Sequence, residues 1–489
     1  MEELKINVLL ISPVESYYVR DYNISYGIAP PLGLLYIGKI LEENDIRVNI
    51  LDFSAELYNQ QKLKRALNSV DIVGISLVSE STNKSKEMID LIKEKDSEIP
   101  VIVGGSHCSL FPKKALNETG ADISVQGDGE AVILDLLNVL NGKGEFSKIP
   151  GIYYRVDKNI RHGKSAELIK NLDTISFPAR YLVKNYTYGY AYYPKVKKGE
   201  FTTVLTSRGC PFNCSFCSRV AACMYTYRIR SPKNILDELI EIQNQGYKRV
   251  AFMDDSLVSN KNIANKIFDL IIKEKLDLIF YVLASRADSA DKELYLKMKK
   301  AGVISMKFGL ESGNQDVLDF YNKRTTLDKM KNAVDLSHET GFFTHGTFIF
   351  GAPFETKKHI KKTIDFAKSL PLDLVSFLSL RYMVGSNLWF KAVDEGIISE
   401  DDYFVLADSN KNLALFSKKE IDKYCRNALR VFYLRPKYWI RLLKKSFEID
   451  DFSILKSFIS NYFYQFKKQI IRFKNISEKG SFDSKEFEI

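Results

Sequence analysis

Between residues 199 and 400, short apolar runs alternate with helical patterns, and this alternation constrains the fold more than any other feature. The apolar runs are Thr202–Leu205, Val250–Met253, Ile279–Leu283, Ile304–Phe308, Thr344–Phe350 and Leu374–Leu380. Strands that alternate with helices are typical of parallel sheets with helical crossovers. Six such cycles predict a partial (β/α)6 barrel of the TIM type, in which functional side chains gather at the carboxyl ends of the strands.

The first 145 residues predict a separate α/β unit with a doubly wound, Rossmann- or flavodoxin-like parallel sheet. Its predicted strands are Ile6–Ile11, Val48–Leu51, Asp71–Leu77, Val101–Gly104 and Ile123–Val125. Sheets of this kind bind ligands beyond the carboxyl ends of their strands, where loops carry glycine. We expect a linker over residues 146–198, the barrel over 199–400, and a helical, basic and aromatic extension over 401–489 with a disordered tail.

Three cysteines, Cys210, Cys214 and Cys217, follow the first barrel strand on one short loop. Thiolates suit iron–sulfur clusters, copper(I) or zinc. Three of them can hold three corners of a [4Fe–4S] cluster and leave the fourth iron open for chemistry. A structural zinc site with Cys223 as its fourth ligand is the alternative. Six cysteines in 489 residues do not form a disulfide framework.

The C-x3-C-x2-C spacing, with the aromatic Phe216 directly before the last cysteine, resembles the signature loop of the radical S-adenosylmethionine (SAM) enzymes. The resemblance implies a [4Fe–4S] cluster whose open iron chelates the amino and carboxylate groups of SAM. It also implies that the reduced cluster passes one electron to SAM and releases a 5′-deoxyadenosyl radical.

The ends of the predicted strands carry residues that match the family pattern in the same order. The resemblance implies contacts with SAM from Phe216 (adenine), Asp254 and Asp255 (ammonium), Arg286 (carboxylate), Glu311 (ribose or ammonium) and Gly351, which with Pro353 shapes the adenine loop. Other roles remain open from the residues alone: the aspartates can cap a helix or form a surface pair. The arginine and the glutamate can each belong to a buried ion pair.

Four segments of the N-terminal unit resemble the cobalamin-binding-type domain that precedes many radical SAM cores: Pro30–Tyr36, Val73–Ser76, Val103–His107 and Gly127–Glu130. The cofactor contacts that this resemblance implies are Ser76, Gly104, Gly105, His107, Gly127 and Glu130. No Asp-x-His-x-x-Gly motif follows any predicted strand of the domain. We therefore expect cobalamin binding without histidine ligation, with His107 structuring its loop; a scaffold with an empty cleft is the alternative.

The resemblance implies a cytoplasmic enzyme that uses a [4Fe–4S] cluster, SAM and cobalamin to transfer a methyl group to an unactivated carbon. Ring formation or rearrangement without methylation is one alternative, and a zinc-stabilised nucleic-acid-binding protein is another. RNA methylthiolation normally requires a second cysteine trio, and Cys108, Cys223 and Cys425 are too scattered to form one. We assign no catalytic residue.

The expected partners are a small-molecule or lipid-like substrate and a one-electron donor such as flavodoxin or ferredoxin, and we do not expect nucleic acid. The C-terminal region is basic and carries apolar residues at helical spacing: Leu455, Phe458, Ile459, Tyr462, Phe463 and Phe466. Such a helix can contact a membrane surface peripherally or cap the barrel. No run of about 18 apolar residues predicts a membrane span.

Overall fold

The computed structural model describes residues 6–13, 29–189 and 199–448. The N-terminal unit contains a seven-stranded sheet. Its strands are β1 (Asn7–Ser12), β2 (Arg47–Asp52), β3 (Ile72–Ser76), β4 (Val101–Gly104), β5 (Ile123–Val125), β6 (Ile152–Val156) and β7 (Asn159–His162). They are ordered β2-β1-β3-β4-β5-β6-β7, and the first five are parallel, as the sequence predicts.

Strands β6 and β7 pair antiparallel onto the edge of this sheet. Both lie within the predicted linker, so the sheet extends to His162 and beyond the boundary that we expected at residue 145. Ile152 and Tyr154 are buried while the residue between them is less so, which shows that β6 adds its apolar face to the existing core.

Helices cover both faces of the N-terminal sheet. They are α1 (Leu32–Glu42), α2 (Gln60–Ala66), α3 (Thr82–Lys95), α4 (Ser106–Leu110), α5 (Pro112–Thr119) and α6 (Ile133–Leu140). One core cluster joins the sheet to α1 and α6, and a second joins its other face to α2, α3 and α5. A parallel sheet that is buried on both faces explains the nearly continuous apolar runs of its strands.

The second unit contains a parallel sheet of six strands in the order β15-β14-β13-β12-β11-β8, which confirms the predicted partial barrel. A short antiparallel pair, β9 and β10, flanks the cysteine loop. The strands are β8 (Phe201–Val204), β9 (Ser207–Arg208), β10 (Arg228–Ile229), β11 (Arg249–Phe252), β12 (Ile279–Ser285), β13 (Val303–Glu311), β14 (Phe343–Phe350) and β15 (Leu374–Ser379).

The crossover helices begin where the sequence provides caps. Ser231, Asn260 and Thr326 each accept a hydrogen bond from a backbone N–H in the first turn of the helix that follows. The helices of this unit are α7 (Arg219–Ala222), α8 (Pro232–Asn244), α9 (Lys261–Glu274), α10 (Lys292–Lys300), α11 (Gln315–Phe320), α12 (Leu327–Glu339) and α13 (Lys357–Ser369).

The C-terminal part contains β16 (Arg381–Tyr382), β17 (Val405–Leu406), α14 (Asn387–Asp394), α15 (Lys418–Tyr433) and α16 (Pro436–Glu448). The hydroxyl of Tyr438 in α16 donates to the carbonyl of Asp373 just before β15, so this helix packs against the barrel. The apolar pattern predicted over 455–466 and the predicted tail lie outside the described residues. Within the described ranges, no helix is both long and apolar enough to cross a bilayer.

Candidate functional site at the junction of the two units

A cavity of about 360 Å³ lies between the carboxyl ends of the N-terminal strands and the segments that flank the cysteine loop. Six of the predicted cofactor-binding residues line it: Ser76, Gly104, Gly105, Gly127, Glu130 and Asp255. From the barrel side, Arg208, Gly209, Cys223 and Met253 complete its wall. Residues predicted for two different cofactors therefore border one shared space.

Glycines allow the backbone to approach closely on the N-terminal side of the cavity. Gly105 has φ +115°, and a Cβ atom there would lie 2.8 Å from the carbonyl oxygen of Leu77. Gly127 has φ +91°, and its added Cβ would lie 2.9 Å from Leu168. Side chains at these positions would meet both strain and collision. The rest of the N-terminal wall is mainly apolar, and this lining matches the chemistry of the largely apolar body of a corrinoid.

His107 does not line this cavity. Its ring is fully buried, with Nδ1 2.9 Å from the Ser79 hydroxyl and Nε2 3.2 Å from a carboxylate oxygen of Glu118. Both ring nitrogens are therefore engaged between two segments of the N-terminal unit. This geometry corrects the assignment of His107 as a cofactor contact and agrees with the loop-structuring role.

A group of charged side chains connects the two units at the cavity wall. Arg208 donates to Asp128 at 2.8 Å and to Glu130 at 2.5 Å, and Arg228 also donates to Asp128. Burial raises the pKa of Asp128, but the hydrogen bond from Arg228 and the charge of Arg208 outweigh it and leave the pKa below its ordinary value. Sequence reasoning identified Glu130 but missed the two arginines, although Arg208 lies only two residues before Cys210.

Asp254 holds the segment that leads into the cysteine loop by accepting hydrogen bonds from it. Its carboxylate accepts hydrogen bonds from the backbone N–H of Thr206 at 3.0 Å and from the hydroxyls of Thr206 and Ser207 at 2.7 Å each. Burial raises its pKa, and these hydrogen bonds oppose that change. The structure therefore places Asp254 beneath the loop, while its neighbour Asp255 lines the cavity and pairs with Arg219 at 3.2 Å.

Gly209 fixes the turn that presents the first cysteine. It has φ +91°, and a Cβ atom there would lie 2.1 Å from the carbonyl oxygen of Thr226. Arg286 approaches the loop from the end of β12, with Nη1 3.5 Å from the Cys214 sulfur and its guanidinium 3.7 Å from the centre of the Phe212 ring. Arg286 also pairs with Asp288.

Glu311, Phe216 and Gly351 lie on the segments that follow the barrel strands. Glu311 is the last residue of β13, Gly351 directly follows β14, and Phe216 lies on the cysteine loop. Glu311 has φ +63° and pairs with Lys323 at 2.7 Å, and the ammonium of Lys323 lies 5.9 Å from the Phe216 ring centre. A left-handed glutamate is strained, and such strain is common at functional sites. The N–H of Gly351 donates to Glu355 at 2.6 Å, and burial raises the pKa of Glu355 to about 7.

The donor set of the cysteine loop fits an iron–sulfur cluster. All three thiols are free, and burial raises the pKa of Cys217 to about 11, so metal binding must displace its proton. In the ranges that the structure describes, no group of three His, Cys, Asp or Glu side chains is arranged to hold a single metal ion.

Comparisons with known proteins agree with both halves of this site. The radical SAM superfamily matches residues 204–367, and the B12 binding domain matches residues 24–137. An uncharacterized methyltransferase of Pyrococcus horikoshii is 30% identical over 464 residues, which cover 94% of this chain and 98% of the relative.

Two solved structures share the fold. The radical SAM methyltransferase TsrM from Kitasatospora setae has a TM-score of 0.67 at 19% identity, covering 80% of this chain and 76% of its own. The cobalamin-dependent radical SAM enzyme OxsB has a TM-score of 0.69 at 17% identity, covering 99% of this chain and 82% of its own. The two-unit arrangement is therefore one that other proteins also adopt.

Proposed function

This chain belongs to the radical SAM superfamily and carries a B12-binding domain, and from that premise we propose that it transfers a methyl group to an unactivated carbon of a small or lipid-like molecule. One observation carries the proposal: the glycine loops of the N-terminal sheet and the flanks of the cysteine loop border the same cavity. A shared cavity allows two cofactors to act on one substrate without release between steps.

Three cofactors supply the chemistry when bound: the [4Fe–4S] cluster and SAM provide reductive cleavage, and cobalamin carries the methyl group. The chain provides ligands, orientation and exclusion of water. Cys210, Cys214 and Cys217 would hold the cluster, and Arg286 donates a hydrogen bond from Nη1 to the Cys214 sulfur at 3.5 Å. Gly105 and Gly127, which line the cavity, would contribute backbone rather than side chains to the corrinoid site.

The ion pairs of Arg208 maintain the distance between the two halves of the site. They connect the residue two positions before the first cysteine to the Gly127–Glu130 loop. Paired charges with little exposure to water resist separation, because either one alone would be left without compensation. We therefore assign Arg208 a positioning role, because its hydrogen bonds from the barrel go to Asp128 and Glu130 of the Gly127–Glu130 loop.

Ring formation or rearrangement without methylation would use the same cavity, so the products of SAM must distinguish the two outcomes. Methyl transfer from SAM yields S-adenosylhomocysteine, whereas radical cleavage alone yields 5′-deoxyadenosine. The test is anaerobic incubation of the cobalamin-loaded protein with SAM and a low-potential reductant, followed by quantification of both products. Formation of both supports the proposal, and 5′-deoxyadenosine without S-adenosylhomocysteine contradicts it.

The partners also remain proposals. The electron donor is a small one-electron carrier of the flavodoxin or ferredoxin kind. Helix α16 exposes apolar side chains, with Ile440 69% and Phe447 67% exposed, and it carries Lys437 and Lys444 nearby. Apolar and basic side chains on one helix favour peripheral contact with an anionic membrane. Sedimentation with phosphatidylglycerol vesicles but not with phosphatidylcholine vesicles would support this contact, and no sedimentation with either would contradict it.

A further inference from the structure

The inner face of the barrel carries polar residues that the cysteine loop and the junction cavity do not use. Lys307 of β13 is the register partner of His345 of β14. Thr347, two residues further along β14, is the register partner of Ser376 of β15. These four side chains therefore form a compact group on three adjacent strands.

The direction of these side chains follows from their neighbours. Phe308, Phe348 and Phe377 belong to the core cluster between the strands and the surrounding helices. Because side chains alternate between the two faces of a strand, the residues next to these phenylalanines point to the opposite side. Lys307, His345, Thr347 and Ser376 thus face the barrel interior.

Lys307 carries a positive charge that no carboxylate in the described ranges pairs with. Its ammonium has no hydrogen-bond or ion-pair partner among those residues. The negative charge that acts on it is that of Glu311, whose carboxylate already pairs with Lys323 at 2.7 Å. Burial lowers the pKa of Lys307, and the charge of Glu311 opposes that change. A partly buried ammonium without a partner is costly, so a bound anion would stabilise it.

His345 adds a neutral hydrogen-bonding group beside this charge. Its Nε2 lies 2.9 Å from the hydroxyl of Ser376. Burial, with a further contribution from the charge of Lys307, holds the pKa of His345 well below its ordinary value. The ring is therefore uncharged near neutral pH and can hydrogen-bond an oxyanion without adding a second buried cation.

Apolar side chains continue the same face toward the carboxyl ends of the strands. Ile349 is the register partner of Leu378, and the Leu378 side chain is 52% exposed although it lies on the inner face. Glu311, at the end of β13, lies four residues beyond Lys307, a distance of roughly 13 Å along the strand. The barrel interior thus carries a cation at the middle of the strands and an aliphatic surface nearer their carboxyl ends.

We infer that the barrel interior binds its substrate by an oxyanion, a carboxylate or a phosphate, through Lys307 and His345, with the aliphatic part of the substrate against Ile349 and Leu378. The inference rests on the proposed function, because the depth of the anion site then leaves the reacting carbon at the barrel mouth, close to the cysteine loop. It specifies the substrate class as an anionic amphiphile.

The test is anaerobic isothermal titration calorimetry on protein loaded with cluster and cobalamin. The probes are hexyl phosphate, hexanoate and neutral 1-hexanol, which share an alkyl chain and differ in charge. Lys307→Met and Lys307→Gln remove the charge, and Lys307→Arg retains it. Lys300→Met, on the exposed face of α10, is the matched control. Iron, cobalt and the melting temperature are measured on each sample.

We expect at least one of the two anions to bind the wild-type protein, and both neutral variants to bind it at least tenfold more weakly, the loss typical of a hydrogen bond to a charged group. Lys307→Arg and Lys300→Met should retain most of the affinity, and 1-hexanol should bind weakly. Comparing phosphate with carboxylate identifies the head group.

Equal binding by the folded neutral variants, equal binding of 1-hexanol, or no binding of either anion to the wild-type protein would overturn the inference. These failures differ from failure of the proposed function. If the protein contains no cobalt but binds the anions through Lys307, only the methyl-transfer proposal is refuted. If the protein contains cobalt but the neutral Lys307 variants bind the anions as tightly as the wild type, only the anion site is refuted.

Discussion

Arg208 donates from Nη1 to Oδ1 of Asp128 at 2.8 Å, and this contact joins the cysteine loop of the barrel to the glycine loop of the N-terminal sheet. The two residues are 80 positions apart in the chain. Their side chains are only 18% and 7% exposed, so water screens the interaction little. The geometry of the shared cavity therefore depends on an ion pair between two of the residues that line it.

Replacement of Arg208 should loosen the junction. Arg208→Met leaves Glu130 without its partner, and we expect a loss of about 3 kcal/mol in the free energy of unfolding. Urea denaturation under anaerobic conditions measures this loss, and retention of cobalamin on gel filtration should fall with it. Arg65→Met, at an exposed helical position, is the control. Wild-type stability and cobalamin retention in Arg208→Met would contradict the positioning role.

Replacement of one loop cysteine should abolish the cluster. Cys214→Ala removes a ligand, so we expect loss of the broad visible absorption and of SAM cleavage together. Cys425→Ala, far from the loop in sequence, should keep both properties. A Cys214→Ala protein that is brown and cleaves SAM would refute the assignment of this cysteine.

Removal of His107 should affect stability but not the corrinoid. His107→Ala leaves the Ser79 hydroxyl and the Glu118 carboxylate without their buried partner. We expect a destabilisation of roughly 1–3 kcal/mol and an unchanged visible spectrum of bound cobalamin. A spectral shift of the bound corrinoid would show that the histidine reaches cobalt after all.

Glu355 should make stability fall as pH rises through the weakly acidic range. The pKa of the Glu355 carboxyl is about 7 in the folded protein, whereas its ordinary value, which applies in the unfolded chain, is 4.5. Between these values the folded state retains a proton that the unfolded state has lost, so the free energy of unfolding decreases by about 3 kcal/mol from pH 4.5 to pH 7. The loss is complete above pH 7.

Glu355→Gln should remove this component. The measurement is the difference in unfolding free energy between wild-type and variant proteins across the same pH range, which cancels the other titrating groups. A constant difference from pH 4.5 to pH 7 would show that burial does not raise the Glu355 pKa.

Much of the fold could be predicted from local sequence. The six barrel strands lie close to their predicted positions because each apolar run is bounded by turns and followed by a capped helix. The addition of β6 to the N-terminal sheet could not be predicted, because an edge strand is specified by the partner that it meets rather than by its own pattern.

The order of motifs predicted the glycine loops as parts of one site, and the structure places Gly104, Gly105 and Gly127 in the wall of a single cavity. The roles of the individual residues remain predictions. The sequence could not show that Asp254 supports the loop while Asp255 lines the cavity, because the difference depends on which way each side chain points. The partners of His107 lie 28 and 11 residues away, and those of Arg208 lie 80 and 78 residues away, so no local pattern identifies them.

We propose that one chain holds an iron–sulfur cluster and a corrinoid at a shared cavity. The most direct test is anaerobic purification with added hydroxocobalamin, followed by iron, sulfide, cobalt and zinc analysis of a single sample. We expect about four irons per chain, as one [4Fe–4S] cluster requires, together with one cobalt. Four irons without cobalt would reduce the N-terminal unit to a scaffold, and zinc without iron would contradict the account as a whole.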